Sequence, residues 1–326
     1  MTTQQEALQA AQLFGVNGTL CRLAGEYDYN YRVKSNDGVQ YILKIAAPDT
    51  ALATLCLQNA ALHWLKKQNV PFAIPVPQLC SAGTDIVLLA NTYPTRLFAY
   101  VPGELLGNLP THSDSLLKSL GTQLGYLSKA LANFKPGNAK RALAWDFNQA
   151  TWTREKLTFL SEEEQEIVAP FLQHFETLIA PQLPLLRQSI IHGDLNDYNI
   201  LTTDDEVTGF IDFGDIIETA TIAELAIALT YAMLHKSDPI TAACHIIKAY
   251  HAQFPLRKKE LAVLYYLIAM RLCMSVINSA ERKRQQPSDP YLTISEAPAW
   301  QLLRQWQALA ADEVFARFYQ ACDDFK

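Results

Sequence analysis

The chain has 326 residues, 49% apolar and 18% charged, with a net charge of −6. That length supports a large core shared between two lobes. The negative balance excludes a protein whose main task is to neutralise nucleic-acid phosphates. The one dense basic run, "ERKRQQP" at 281–287, reads as a solvated helix end. Six cysteines, at 21, 56, 80, 244, 273 and 322, form no C-x-x-C pair. They read as small apolar side chains in a reducing compartment, not as a disulfide framework or a zinc site. "MTTQQEALQAAQLFG" has no basic segment followed by an apolar core, and "LAVLYYLIAM" is shorter than a bilayer span. A cytoplasmic protein with no membrane partner is expected.

In chain order, residues 5–14 read as a helix. "CRL", "YNYRVKS" and "VQYILKIA" follow as strands rich in Tyr, Val and Ile, with "SNDG" as the turn between the last two. Residues 50–69 carry Leu52, Leu55, Ala61, Leu62 and Leu65 near helical spacing. The proline-punctuated "VPFAIPVPQL" is an extended connection, and "DIVLLANT" and "TRLFAYV" are two more strands. Residues 1–101 therefore form a five-stranded antiparallel sheet with one helix inserted. "PGE" at 102–104 breaks the pattern, and 102–326 turns mostly helical: 111–132, 146–159, 161–178, 219–235, 238–253, 257–284 and 297–323. Strands in this half are confined to "SIIHGD", "NILTT" and "VTGFIDF". The class is α+β with two lobes.

Chemistry concentrates in "IIHGDLNDYNIL" and "IDFGD". "NILTT" and "VTGFIDF" flank "DDE" as a short hairpin, whose ends direct Asn199 and Asp212 toward a common region, with Asp194 in the loop before. An amide and a carboxylate suit a divalent cation held through oxygen. A further Asp can accept a proton from a hydroxyl. Together they suit phosphoryl transfer from a Mg²⁺-nucleotide, a reaction that needs positioning and charge neutralisation above all. The spacing His192-Gly193-Asp194, four residues, Asn199, then Asp212-Phe213-Gly214 matches the H-R-D-x-x-x-x-N and D-F-G spacing of protein kinases. Lys44, in "YILKI", supplies the lysine such a site needs on the nucleotide phosphates. The flap before it holds only Gly25, so Asn30 or backbone amides are left to cradle the phosphates.

"HGDLNDYN" with "IDFGD" resembles the aminoglycoside phosphotransferase and choline kinase superfamily of small-molecule kinases. Glycine after His192 is the small-molecule version of the motif, and a long activation segment ending in A-P-E is lacking. "DYNYRV", "LQNAAL", "RLFAYVPG" and "RLCMSVINSA…DPYLTI" are most similar to its hydroxylysine kinase branch. The resemblance implies a protein-kinase-like fold using ATP or GTP with Mg²⁺. It implies that Asp194 is the base, Asn199 and Asp212 bind the metal, and Lys44 holds the α- and β-phosphates. It also makes His192 a brace and Ala99–Val101 the hinge whose backbone meets adenine. Many relatives carry a glutamate that pairs with the lysine, and here the aligned position is Gln58.

For the substrate, Asp215 has two readings: an acid favouring the dipole at a helix start, or a cleft residue that attracts an amine. Arg271 lies in the apolar "YYLIAMRLCMSVI", where it needs either a buried acid such as Glu224 or the carboxylate of an amino-acid substrate. Tyr291 is a further candidate, while Trp145 reads as core. The expectation is a small hydroxylated, amine-bearing substrate such as hydroxylysine. An aminoglycoside, homoserine or choline-type kinase, or a non-catalytic nucleotide-binding relative, remains as the alternative.

Overall fold

The computed structural model describes residues 4–25, 28–137, 139, 141–285 and 296–322. The chain divides into two compact units, one of Met1–Gly103 with 136–138 and 208–212, the other of Glu104–Lys135, Ala139–Val207 and Phe213–Lys326.

The first unit opens with helix α1 (Gln4–Gln12) and strands β1 (Gly18–Leu23), β2 (Tyr29–Ser35) and β3 (Gln40–Ile45). Helix α2 (Leu52–Gln68) and strands β4 (Val87–Leu89) and β5 (Tyr93–Ala99) complete it. The sheet order is β1-β2-β3-β5-β4, every pair antiparallel. Alternation along the strands sends Tyr31, Val33, Leu43, Ile45 and Leu97 into one core, packed with Ala7, Ala10 and Ala11 of α1. Gly38, at φ 89°, closes the turn expected at "SNDG". Asn69 ends α2 in the left-handed conformation. β4 is shorter than "DIVLLANT" because Ala90 and Asn91 both take positive φ and turn the chain into β5.

The second unit contains β6 (Glu104–Leu105), α3 (Asp114–Ala132), α4 (Trp152–Glu155), α5 (Glu162–His174) and β7 (Gln188–Ile191). Next come β8 (Ile200–Thr203), β9 (Glu206–Phe210), whose last residues belong to the first unit, and β10 (Ile217–Ala220). Helices α6 (Ile222–Ala232), α7 (Pro239–Gln253), α8 (Lys258–Gln285), α9 (Glu296–Gln307) and α10 (Ala311–Ala321) finish the chain. β10 pairs antiparallel with β7, and a second small sheet runs β6-β8-β9. Asp204 and Asp205, both at positive φ, make the two-residue turn of the β8–β9 hairpin. α3 and α7 approach backbone to backbone: a Cβ on Gly121 would sit 2.1 Å from the Ile246 carbonyl oxygen.

Three expectations change. Residues 146–159 are not one helix but short turns around α4, because Asp146 and Asn148 spend their side chains on local bonds and on Thr219. Residues 217–220, expected in part as helix, pair as β10 with Gln188–Ile191. The 297–323 helix is two, with Tyr265 Oη donating to the carbonyls of Trp306 and Leu309 where α9 ends. The apolar stretch expected not to span a bilayer belongs to α8, which at 28 residues is long and apolar enough to cross a membrane by composition, but 89% of its most apolar window is buried inside the protein. It is the central helix of the second unit.

Candidate active site

The second unit carries the predicted base. β7 delivers His192, which is fully buried, with its ring 4.4 Å from that of Phe213. Its Nδ1 accepts the Asp194 backbone N–H at 3.3 Å, so the histidine braces the loop. Below it, the buried Glu224 of α6 accepts from the backbone N–H groups of His192 (2.5 Å) and Gly193 (3.4 Å). Burial pushes the Glu224 carboxyl up to about 7, against the pull of those two donors. Gly193 sits at φ 84°, and a Cβ there would lie 2.4 Å from the Asp215 carbonyl oxygen, so no other residue fits.

Both carboxylate oxygens of Asp194 are held. Oδ1 accepts from Arg271 Nη2 at 2.8 Å, and Oδ2 accepts from Asn196 Nδ2 at 3.0 Å and Asn199 Nδ2 at 3.1 Å. Asn199 Nδ2 also reaches the Asp194 carbonyl at 2.8 Å. Spending the amide nitrogen in this way turns its oxygen away from Asp194, as a cation ligand requires.

Arg271 is only 1% exposed. Its partner is Asp194, not Glu224, which is occupied by the loop backbone. Nε donates to Tyr231 Oη at 3.3 Å, and the guanidinium stacks on the rings of Trp145 (4.4 Å) and Tyr231 (5.4 Å). Burial lowers the Arg271 pKa, but Tyr231 and Asp194 outweigh it and hold the group above the ordinary arginine value. Nη1 is buried with no partner among the described residues. Trp145, expected to pack in the core or against a helix, is one wall of this cation's site. Asp215 is faced by Arg141 Nη2 at 3.7 Å, and the same Nη2 donates to the Gly214 carbonyl at 2.7 Å. Asp197, hidden among the four spacer residues of the motif, has a buried Oδ1 with no partner among the described residues, and burial pushes its carboxyl up to about 6. Tyr291 lies outside the described residues.

The first unit carries the predicted phosphate lysine. Lys44 Nζ bonds Asp212 Oδ1 at 2.8 Å. Asp212 follows β9 at φ 60°, a left-handed conformation that Asp tolerates better than most residues. Lys44 spends its hydrogen bond on this acid rather than on Gln58, whose Oε1 accepts from Arg96 Nη1 at 2.7 Å. Asn30 is the cross-strand partner of Lys44 on β2. Of the hinge residues, Ala99 donates its N–H to the Val76 carbonyl at 2.9 Å, and Val101 is buried. Among the described residues no group of three or more His, Cys, Asp or Glu is placed to hold a metal.

A braced Asp between two amides, a strand lysine on an acid after a hairpin, and a five-stranded sheet preceding a helical unit define a kinase-like phosphotransferase. Residues 19–258 match the phosphotransferase enzyme family. Hydroxylysine kinase of Danio rerio is 26% identical over 97% of this chain and 94% of its own length. Homoserine kinase of Methylobacillus flagellatus is 28% identical over 78% of this chain and 77% of its own. Among solved structures, an amicoumacin kinase bound to AMP-PNP and Ca²⁺ superposes with TM-score 0.69 at 17% identity, covering 98% of this chain and 97% of that one. A microcompartment-associated aminopropanol kinase gives TM-score 0.61 at 16% identity, over 98% and 95%. The chain belongs to the phosphotransferase enzyme family. It is a kinase of small-molecule hydroxyl groups.

Proposed function

We propose that this kinase phosphorylates the hydroxyl of a small hydroxylated amino acid of the hydroxylysine or homoserine type. The observation that carries the reading is the unpartnered Nη1 of Arg271, buried within a guanidinium already bonded to Asp194. A buried donor without an acceptor costs about 1–3 kcal/mol, and a substrate carboxylate is the natural acceptor for a guanidinium edge. A carboxylate held by Arg271 anchors the substrate near Asp194, to which Arg271 is bonded, and leaves the hydroxyl to meet that residue. Asp215 is offered for the substrate's amine, in competition with Arg141.

In the reaction, Asp194 orients the substrate hydroxyl and takes its proton as the oxygen attacks the γ-phosphorus. The bond from that phosphorus to the bridging oxygen breaks, and the nucleoside diphosphate leaves. Lys44 neutralises charge on the α- and β-phosphates. The amide oxygen of Asn199 and the carboxylate of Asp212 serve as the chain's ligands for Mg²⁺, which when bound offsets the phosphates' charge.

The test is a coupled ADP-release assay with Mg²⁺-ATP and Mg²⁺-GTP, with Asp194→Asn as the blank. The panel is hydroxylysine, homoserine, ethanolamine, aminopropanol, choline and an aminoglycoside. Carboxylated substrates should exceed their decarboxylated analogues in kcat/KM by roughly a hundredfold or more. Arg271→Met should erase most of that ratio. Equal turnover of ethanolamine-type and amino-acid substrates would remove the carboxylate from the proposal and favour the amino-alcohol reading.

A further inference from the structure

Resting on the kinase assignment, we infer that the buried Arg96 supplies a second positive charge to the nucleotide's phosphate subsite, beside Lys44, and that Gln58 is there to hold it. The sheet register sets up the pair. Asn30 lies opposite Lys44, and Lys44 lies opposite Arg96. Directly opposed residues on neighbouring antiparallel strands share a face, with Cβ atoms about 5 Å apart. The three side chains therefore form a row across β2, β3 and β5, and two of them are cations.

Like charges placed opposite each other on a sheet repel. Lys44 is answered by Asp212 at 2.8 Å. Arg96 is answered poorly. It is 3% exposed, and its Nη1 is held by two neutral oxygens, Gln58 Oε1 at 2.7 Å and Asn59 Oδ1 at 3.3 Å. Its ion-pair partner, Asp28, stands 3.8 Å from Nη2, and its Nε is buried with no partner among the described residues. Burial pulls its pKa below the ordinary arginine value, the largest effect, with Asp28, Asp212 and Asp85 pulling back without overcoming it. A buried guanidinium fixed by amides and under-compensated by acids raises the local potential at Lys44. An anion of several charges at Lys44 relieves it, and a nucleoside di- or triphosphate is that anion. A carboxylate at position 58 would have cancelled the charge. An amide holds the same geometry and leaves the charge in place. Asn30 ties the row to the preceding loop, donating Nδ2 to the Ala24 carbonyl at 3.3 Å.

Arg96 is thus a positioning residue, acting on the phosphates through charge and through Lys44. The experiment measures dissociation constants for ATP, ADP and adenosine in Mg²⁺, with melting temperatures, for wild type, Arg96→Lys, Arg96→Met and Gln58→Glu. Arg96→Met should weaken ATP and ADP roughly tenfold while leaving adenosine nearly unchanged, and Arg96→Lys should recover most of the loss. Gln58→Glu should weaken ADP about threefold or more even though it adds an ion pair and keeps or raises the melting temperature. Gln58→Glu binding ADP as tightly as wild type would overturn the inference. So would a Met variant that loses adenosine as much as ADP. If Arg96→Met does not fold, Gln58→Glu decides alone. Wild type binding adenosine no more weakly than ADP overturns it too, whereas wild type binding no nucleotide at all overturns the kinase assignment beneath it.

Discussion

The ion pairs Lys44–Asp212 and Arg271–Asp194 are both 2.8 Å long, one in each unit, and they are built for opposite purposes. In the first, the side chains are 20% and 51% exposed. Water competes with the partners, so the pair is easily exchanged for a phosphate or a cation. In the second, the arginine is 2% exposed and the aspartate 28%. Two aromatic rings, a tyrosine hydroxyl and two amides fix it in place. Equal distances conceal a difference in environment. On the proposed mechanism the lysine pair is a resting state that a ligand replaces, and the arginine pair is a frame that keeps the proposed base aimed.

Four substitutions sharpen that contrast. The largest effect falls on Asp194→Asn, which should reduce turnover by about a hundredfold to ten-thousandfold. ADP binding should survive, and single-turnover kinetics against equilibrium binding separates the two. Turnover within a few-fold of wild type would end the assignment of the base. Next, Arg271→Ala breaks a buried pair and leaves a cavity against Trp145, so denaturant unfolding should show a loss of about 3–5 kcal/mol. Third, Glu224 titrates at about 7 in the folded protein against an ordinary 4.5, because burial disfavours its charge. A raised carboxyl favours the folded state where it is protonated. Stability should therefore fall as pH rises from the ordinary value through the folded one, by ~3 kcal/mol, and level off above. Glu224→Gln keeps an acceptor for the loop and should flatten this slope, read as the difference between the two stability–pH curves. The smallest stability effect belongs to Lys44→Met, under about 1 kcal/mol because its pair is partly solvated. Its cost should appear instead in the KM for ATP, and a large drop in melting temperature would erase the distinction between the pairs.

Much of the site was legible because its chemistry lies in one continuous stretch. His192, Asp194, Asn199 and Asp212 are spaced by a loop and a hairpin that the strand pattern itself announces, and Lys44 sits on a strand with clear alternation. What escaped were partners brought in from elsewhere in the chain. Arg271 is 77 positions from Asp194, and nothing local favours that acid over Glu224. Arg96 reads as one more strand residue until the register places it opposite Lys44 and 38 positions from Gln58. The same holds for the fold. Residues 217–220 run into a helix of good formers, and only the pairing with β7 makes them a strand. The break after α9 has no Gly or Pro to announce it. The hydroxyl of Tyr265 takes the helix-end carbonyls instead.

Gly193 constrains how this loop can change over generations. Protein kinases carry arginine at the corresponding place in their catalytic loop. Here the positive φ and the Asp215 carbonyl leave no room for even one carbon. A single codon change at 193 therefore leads nowhere useful. In this chain a side chain at 193 requires the turn at 213–215 to be rebuilt, so the shape of the backbone, before the choice of side chain, decides what the loop can carry.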